Sequence, residues 1–393
     1  MNAVIKIFSI FIKIIYFFLK LLPTKNRVSF FSRQSDRLSL DFWMLMDELE
    51  CSDDTIDIKY VCHRFRNLHD GIVRFVINLL KSMYYLATSK VCVLDAYWPT
   101  VSMLNHKKDL KVIQIWHSIG KIKKTGYQTL GKEQGRSIEI ACSMSMHKNY
   151  DYIISGGIAW NKYYCEAFNV EENVLRNYGL PRLDYIYNRR NIDHEPLWRE
   201  KHPEFEGKIL VLYAPTHRKY RIEGVEELQK LFSNEKYAFI CKFHPNQKLD
   251  ENVEHDFAKF AKDDTFDILQ SCDYLITDYS SLALEAAAID KKTLYYLFDY
   301  DRYIGENGTN IDLFEIMPKV TFFTPEEIYE AIDGGKYPIE ELDDYKHKYL
   351  PEDLGNSTEK IVNLIIECLQ VDDKKVAEFP TEIKDIEIDK KYA

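Results

Sequence analysis

Short apolar runs alternate along the chain with stretches of helical spacing. RVSFFS (27–32), IDIKYVC (56–62), KVCVLDAY (90–97), KVIQIWH (111–117) and DYIISGG (151–157) read as strands, and the apolar spacing around 39–49 and 74–86 is that of helices. A second series follows: KILVLYAP (208–215), YAFICKFHP (237–245), DYLITDYS (273–280) and KTLYYL (292–297), with helices expected near 225–232, 281–289, 325–332 and 358–369. Between the two series, NRRNIDHEPLWREKHPEFE (188–206) is polar, holds two prolines and lacks apolar periodicity, so it is the expected linker. The alternation predicts an α/β fold of two Rossmann-like lobes, 23–187 and 207–370, each a parallel sheet with helices on both faces, and a polar tail at 371–393. Ligands of such folds sit between the lobes, at the C-terminal ends of the strands.

The N-terminus breaks this pattern. VIKIFSIFIKIIYFFLKLL (4–22), closed by Pro23, would make a helix about 28 Å long, close to the thickness of a bilayer's hydrocarbon core. Lys6, Lys13 and Lys20 recur every seven residues and therefore form one stripe on that helix. A spanning helix would put Lys13 near mid-bilayer, at a cost of about 2.5–3.5 kcal/mol. A helix lying in the interface keeps all three ammonium groups among anionic headgroups, gaining about 1 kcal/mol for each. No small-residue cleavage site follows, which argues against a signal peptide. The expectation is a monotopic anchor at the cytoplasmic face; a helix packed on the protein's own core is the alternative.

Composition narrows the function classes. A length of 393 residues suits two domains, and 46% hydrophobic with 29% charged residues is a globular balance. The net charge of -10 argues against general nucleic-acid binding, so local basic clusters carry information. The eight cysteines form no CxxC pair and no Cys/His cluster of zinc spacing, which points to a reducing compartment and no structural metal. Neither GxGxxG nor GxxxxGK[ST] occurs. The apolar anchor and 27 tyrosines suit self-association as well as lipid.

The candidate chemistry gathers at strand ends. In KVIQIWHSIGKIKKTG (111–126), His117 closes a strand and Lys121, Lys123 and Lys124 follow around Gly120. A histidine titrates near neutrality and suits a general base, while the lysines suit phosphate. A capped histidine beside solvated lysines fits these residues as well. In the second series, LYAPTHR (212–218) brings His217 and Arg218, ICKFHPN (240–246) brings Lys242 and His244, and LITDYSSLALEAAA (275–288) brings Asp278, Ser280 and Ser281 to the start of a helix. Such hydroxyls and free backbone N–H groups accept an anion, though they also serve as plain helix caps. Their convergence suits a phosphate-rich ligand held between lobes.

At these motifs the chain resembles the glycerophosphotransferase family that uses CDP-glycerol or CDP-ribitol in building wall teichoic acids. The resemblance rests on WHSIGKIKKTG (116–126), DYIISGG (151–157), YGLPRLD (178–184), LYAPTHR (212–218), KFHPN (242–246), LITDYSSLALEAA (275–287) and LFDYDRY (297–303), in the family's order. It implies a GT-B-like fold attached monotopically to the membrane. It also implies transfer of a polyol phosphate, glycerol phosphate first, from a CDP-polyol to a hydroxyl of a lipid-linked saccharide, with release of CMP; the CDP-polyol is the donor substrate and the residues single out no certain cofactor. By resemblance His117 is the base, and His244 steadies the donor's pyrophosphate with Arg218, Asp278, Ser280 and Ser281. Ser118 stands where the family often has glycine or alanine, and His217 where it commonly has tryptophan. The chain lacks the long N-terminal extension of some polymerising members, which leans towards a primase.

A GT-B glycosyltransferase or epimerase using a nucleotide sugar shares the fold, and Glu285 would then hold the donor's sugar or ribose. A non-catalytic membrane scaffold is the rival from another class. Both reactive histidines are present, which speaks against it.

Overall fold

The structure is a computed structural model and describes residues 2–64, 72–132, 135–190, 195–244, 247 and 258–370. Pro245 and Asn246 of the KFHPN motif and the 371–393 tail lie outside the described residues, as does the side chain of Lys6. Two sheets form the frame. The first has the order β2-β1-β3-β4-β5-β6, from β1 (Arg27–Ser32), β2 (Asp57–Cys62), β3 (Val91–Leu94), β4 (Lys111–Gln114), β5 (Tyr152–Ile154) and β6 (Leu175–Arg176). The second has the order β11-β10-β9-β7-β8, from β7 (Ile209–Tyr213), β8 (Tyr237–Cys241), β9 (Tyr274–Thr277), β10 (Lys292–Tyr296) and β11 (Thr321–Phe322). Every pairing in both is parallel. β1, β3 and β9 are buried along their whole length, which explains the apolar run of β3 and β9, while the polar residues of β1, Arg27, Ser29 and Ser32, are buried with it. β6 and β11 were not anticipated, because two residues are too short to show an alternation.

Three expectations are corrected. The helix Ser357–Gln370, expected with the second lobe, returns to the first sheet and packs on the helices Leu40–Ser52 and Pro181–Arg189. Asp184 draws it there by accepting from the backbone N–H groups of Ser357 (2.9 Å) and Thr358 (2.6 Å), two of the donors that a helix N-terminus leaves unpaired. The 188–206 linker holds structure of its own: Trp198 and Phe205 are buried and stack at 5.6 Å beneath the second sheet, against Phe260. Two large rings suffice to seat a segment with no periodic pattern. Finally, β4 stops at Gln114, three residues short of His117.

The N-terminal helix runs Asn2–Leu19 and touches the body through a narrow stripe, with Ile12 and Tyr16 buried and the Tyr16 hydroxyl 2.8 Å from His106 Nδ1. Ile10, Phe11, Ile14, Phe17 and Phe18 remain exposed. Among the described residues, no helix is long and apolar enough to cross a membrane. All eight cysteines are free thiols.

The first sheet's 121–125 loop meets the second sheet's 308–310 segment. Lys124 N–H donates to the Gly308 carbonyl (3.1 Å), Asn310 N–H to Ile122 (2.8 Å), and the Asn310 side-chain amide to Lys121 (2.7 Å). Gly120 makes the approach possible, since a Cβ there would lie 2.6 Å from Leu284 and from Trp160.

Candidate active site

His117 owes its position to a break in the backbone. The Gln114 side chain accepts from Trp116 N–H (2.9 Å), and Trp116 adopts a left-handed φ of 59°, which turns the chain out of the sheet. A tryptophan in that region costs about 1–3 kcal/mol, a strain that the surrounding packing sustains. The Trp116 and His117 rings lie 4.3 Å apart. His117 Nδ1 is 3.1 Å from the Asp95 carbonyl, and the Gln34 amide nitrogen lies 3.1 Å from the same atom. The Asp95 carbonyl only accepts, so this contact requires the proton on Nδ1 and the lone pair on Nε2, with the Gln34 amide turned to present its oxygen, not its nitrogen, to that N–H. Desolvation pushes the ring's pKa down to about 3 despite the Asp95 bond, and the charges of Lys121, Arg182 and Lys123 push the same way. At neutral pH, His117 is an unprotonated base.

The three lysines part company. Lys121, expected to hold phosphate, is buried in an aromatic box, its ammonium 4.1 Å from the Trp116 ring, 4.2 Å from Phe168 and 4.8 Å from Tyr164. Thr125 Oγ1 is its hydrogen-bond partner at 3.3 Å, so it braces the loop instead. Lys124 lines a groove with Tyr127, Gln128 and Glu166. Of the three, Lys123 is the one whose charge acts on both histidines. Burial lowers its pKa while Asp278 raises it and Arg218 lowers it, and its own charge depresses both His117 and His244.

On the second sheet, Arg218 and Asp278 were expected to meet the donor. They meet each other instead. Arg218 is buried and donates to Asp278 (2.9 Å), to Asp299 (2.6 and 3.2 Å) and to the Thr216 carbonyl (3.0 Å). Asp278 also accepts from the Thr216 N–H (3.0 Å) and hydroxyl (2.5 Å). The triad ties the ends of β7, β9 and β10 into one floor, leaving little donor capacity for a ligand. Lys242 is likewise committed, to the carbonyls of Phe260 and Asp263. Ser280 accepts from Leu282 N–H (3.2 Å), while the Ser281 hydroxyl makes no capping bond to the helix Leu282–Ala288. His244 is exposed, 5.6 Å from the His217 ring, and is held down to about 4 by desolvation and by His217, Lys123 and Arg64. All three neighbours are cations or become so on protonation, which is the environment of an anion site.

Glu285 is corrected as well. It does not line an opening; it is buried, with Arg182 Nη1 3.8 Å away and Oε2 unpartnered, and burial pushes it up to about 7. The helix Leu282–Ala288 turns this residue towards the helix Pro181–Arg189 of the first sheet. Arg182 itself donates from its backbone N–H and its Nε to the buried Asp41, both at 2.9 Å. Asp95, also buried and pushed up to about 7, lies within reach of Arg182's charge. Sequence reasoning quoted the YGLPRLD segment but missed Arg182, because its partner Asp41 is 141 residues away. Among the described residues, no group of three or more His, Cys, Asp or Glu is placed to hold a metal ion.

Two parallel sheets with their strand ends turned to a shared seam make a GT-B-like α/β fold. In its fold, the chain is similar to the wall teichoic acid polymerase TagF, with a TM-score of 0.68 over 88% of this chain and 90% of that one, at 18% identity. The family of CDP-glycerol:poly(glycerophosphate) glycerophosphotransferases matches residues 14–367, and the chain belongs to it. The teichoic acid poly(ribitol-phosphate) polymerase of Bacillus spizizenii is 28% identical over 90% of this chain, which spans 59% of that protein's length. The teichoic acid glycerol-phosphate primase of Bacillus subtilis is 29% identical over 74% of this chain and 76% of its own.

Proposed function

We propose that this protein transfers a polyol phosphate, glycerol phosphate first among the candidates, from a CDP-polyol to a hydroxyl of a lipid-linked acceptor, with release of CMP. One observation carries the reading. A histidine whose tautomer leaves Nε2 basic is under the influence of Lys123, whose charge acts as well on His244 across the seam. The acceptor oxygen attacks the phosphorus that bears the polyol, its proton passes to His117 Nε2, and the bond to CMP breaks with the electron pair leaving on the CMP phosphate. His244 and Lys123 offset the charge of the pyrophosphate, and the Ser281 hydroxyl offers it a donor. Arg218, Asp278, Lys242 and Glu285 act one step away by holding the floor and the seam. The donor is a substrate, and the proposal assigns no cofactor.

Family membership and the relatives' teichoic acid names support the substrate class. The exposed apolar side of Asn2–Leu19 supports docking in the interface of the cytoplasmic leaflet, where Lys13 is exposed to meet headgroups. The nucleotide-sugar alternative gains nothing, since the Glu285 it would use is buried. The test is CMP release by purified protein given CDP-glycerol, CDP-ribitol or UDP-glucose with a lipid-linked disaccharide. CMP from a CDP-polyol, with matching added mass on the acceptor, is expected; turnover of UDP-glucose alone would replace the proposal with a glycosyltransferase.

A further inference from the structure

The helix Asn2–Leu19 packs on the helix Ile72–Thr88, and both leave large apolar side chains in solvent: Phe11 and Phe17 on the first, Val73 and Ile77 on the second. A cavity of about 260 Å³ opens between these helices and the body, walled by Phe8, Ile12, Leu79, Trp98 and Met103. Its polar lining includes two guanidinium groups, Arg33 and Arg136. Both lie against Tyr97: Arg33 Nη1 donates to its carbonyl at 3.1 Å, and the Arg136 guanidinium stands 5.1 Å from its ring. The two like charges act on one another, and among the described residues no carboxylate reaches Arg33 at ion-pair distance. An apolar cavity carrying a pair of like charges is complementary to an amphiphile with a compact anionic head.

Arg33 also lies close in the chain to a neighbour of the proposed base. It precedes Gln34, whose side-chain amide is 3.1 Å from His117 Nδ1, and Tyr97 follows by two residues the Asp95 whose carbonyl holds that ring. The chain leaving β1 and the chain leaving β3 therefore supply Arg33, the Tyr97 that both arginines meet, and the support of His117.

We propose that this cavity binds the lipid end of the acceptor: the first carbons of a single isoprenyl or alkyl chain between the two helices, and the phosphate or diphosphate joined to that chain on Arg33 and Arg136. Calling the ligand the acceptor rests on the transferase reading; the binding site itself does not. A space of about 260 Å³ takes one chain rather than the two of a phospholipid, and the remainder of a long chain stays in the bilayer next to the exposed helix faces. This polarity places the charged end of the lipid on the His117 side of its tail, so the saccharide beyond it extends towards the base.

The test is equilibrium binding to the full chain of farnesyl diphosphate, with farnesol and inorganic diphosphate as its two halves. Farnesyl diphosphate should bind at least tenfold more tightly than either half. Met103→Trp, which fills the cavity, should weaken farnesyl diphosphate and farnesol about tenfold and spare diphosphate; Leu79→Phe serves where the tryptophan variant does not fold. Arg33→Gln should weaken farnesyl diphosphate and diphosphate and spare farnesol. Unchanged affinity in the folded cavity variants overturns the proposal, as does a loss confined to Ile77→Ser on the outer helix face. Displacement of farnesyl diphosphate by an equal concentration of a two-chain phosphatidylglycerol also overturns it and marks a bilayer-lipid site instead. Binding is read without turnover, so absent CMP release would sink the transferase reading and leave this result standing.

Discussion

The first sheet delivers its histidine on a strained turn, with Nδ1 tied to the Asp95 carbonyl and the ring against Trp116. The second sheet delivers His244 at an exposed strand end, beside another histidine and under the influence of Lys123 and Arg64. One ring is oriented and kept neutral; the other sits where positive charge accumulates. A base must point one lone pair at one proton, so it repays fixation. An anion clamp must accept a flexible diphosphate and release its product, so exposure and surplus charge serve it better.

The comparison breaks most sharply at His117. His117→Ala should lower kcat for CMP release by about 10²–10⁴-fold with the melting temperature little changed. A residual rate near wild type would remove the base from the mechanism. Arg218→Ala should act on the fold, leaving Asp278 and Asp299 buried without their cation and costing about 3–5 kcal/mol in denaturant unfolding. A folded Arg218→Ala that merely raises the donor's KM would return this arginine to the donor site. His244→Ala should show as a rise of about tenfold or more in the KM for the CDP-polyol, larger than its effect on acceptor KM.

The pH response sharpens the contrast. The His117 pKa falls from its ordinary 6.5 to about 3 on folding, so between these values the unfolded chain binds a proton that the native ring refuses. The stability it contributes is fully present above about pH 6.5 and is lost as pH falls towards 3. The acid limb of kcat/KM should therefore carry no midpoint near 6.5 from this group. His244, about 4 in the free protein, should rise when a diphosphate arrives, so donor binding at pH 5–6 should take up a proton. Calorimetry in buffers of different ionisation enthalpy reads that uptake, and its absence would separate His244 from the anion. The smallest effect should come from Lys124→Ala: within twofold of wild type in both KM values, against about tenfold in donor KM for Lys123→Ala.

Much of the fold was legible because its information is local. β1 and β7 to β10 appear as largely apolar runs, since a strand covered on both faces leaves few polar positions, and the edge strand β2 appears through its alternation. The helices Leu40–Ser52, Val225–Phe232 and Pro325–Asp333 follow from apolar spacing, and the structure adds the Ser39 and Thr324 caps of the first and last. The motifs named the family and the two histidines. The role of each charged residue was less legible. Lys121, Lys123 and Lys124 look alike as a string, yet one braces an aromatic box, one faces the seam and one lines a groove.

By itself, the sequence determined the α/β frame, the family, the amphipathic N-terminal helix and the two candidate histidines just beyond strand ends. Periodicity, strand termini and motif order are written within tens of residues. Tertiary structure alone decided which cations stay available to a ligand. Arg218 is spent on Asp278 and Asp299, 60 and 81 residues away, and Arg182 on Asp41, 141 residues away. It also returned the last helix to the first sheet through Asp184 and Ser357, 173 residues apart. A charged side chain's job depends on who neutralises it, and in a folded chain that partner is set by tertiary packing within each sheet's unit rather than by neighbours in sequence.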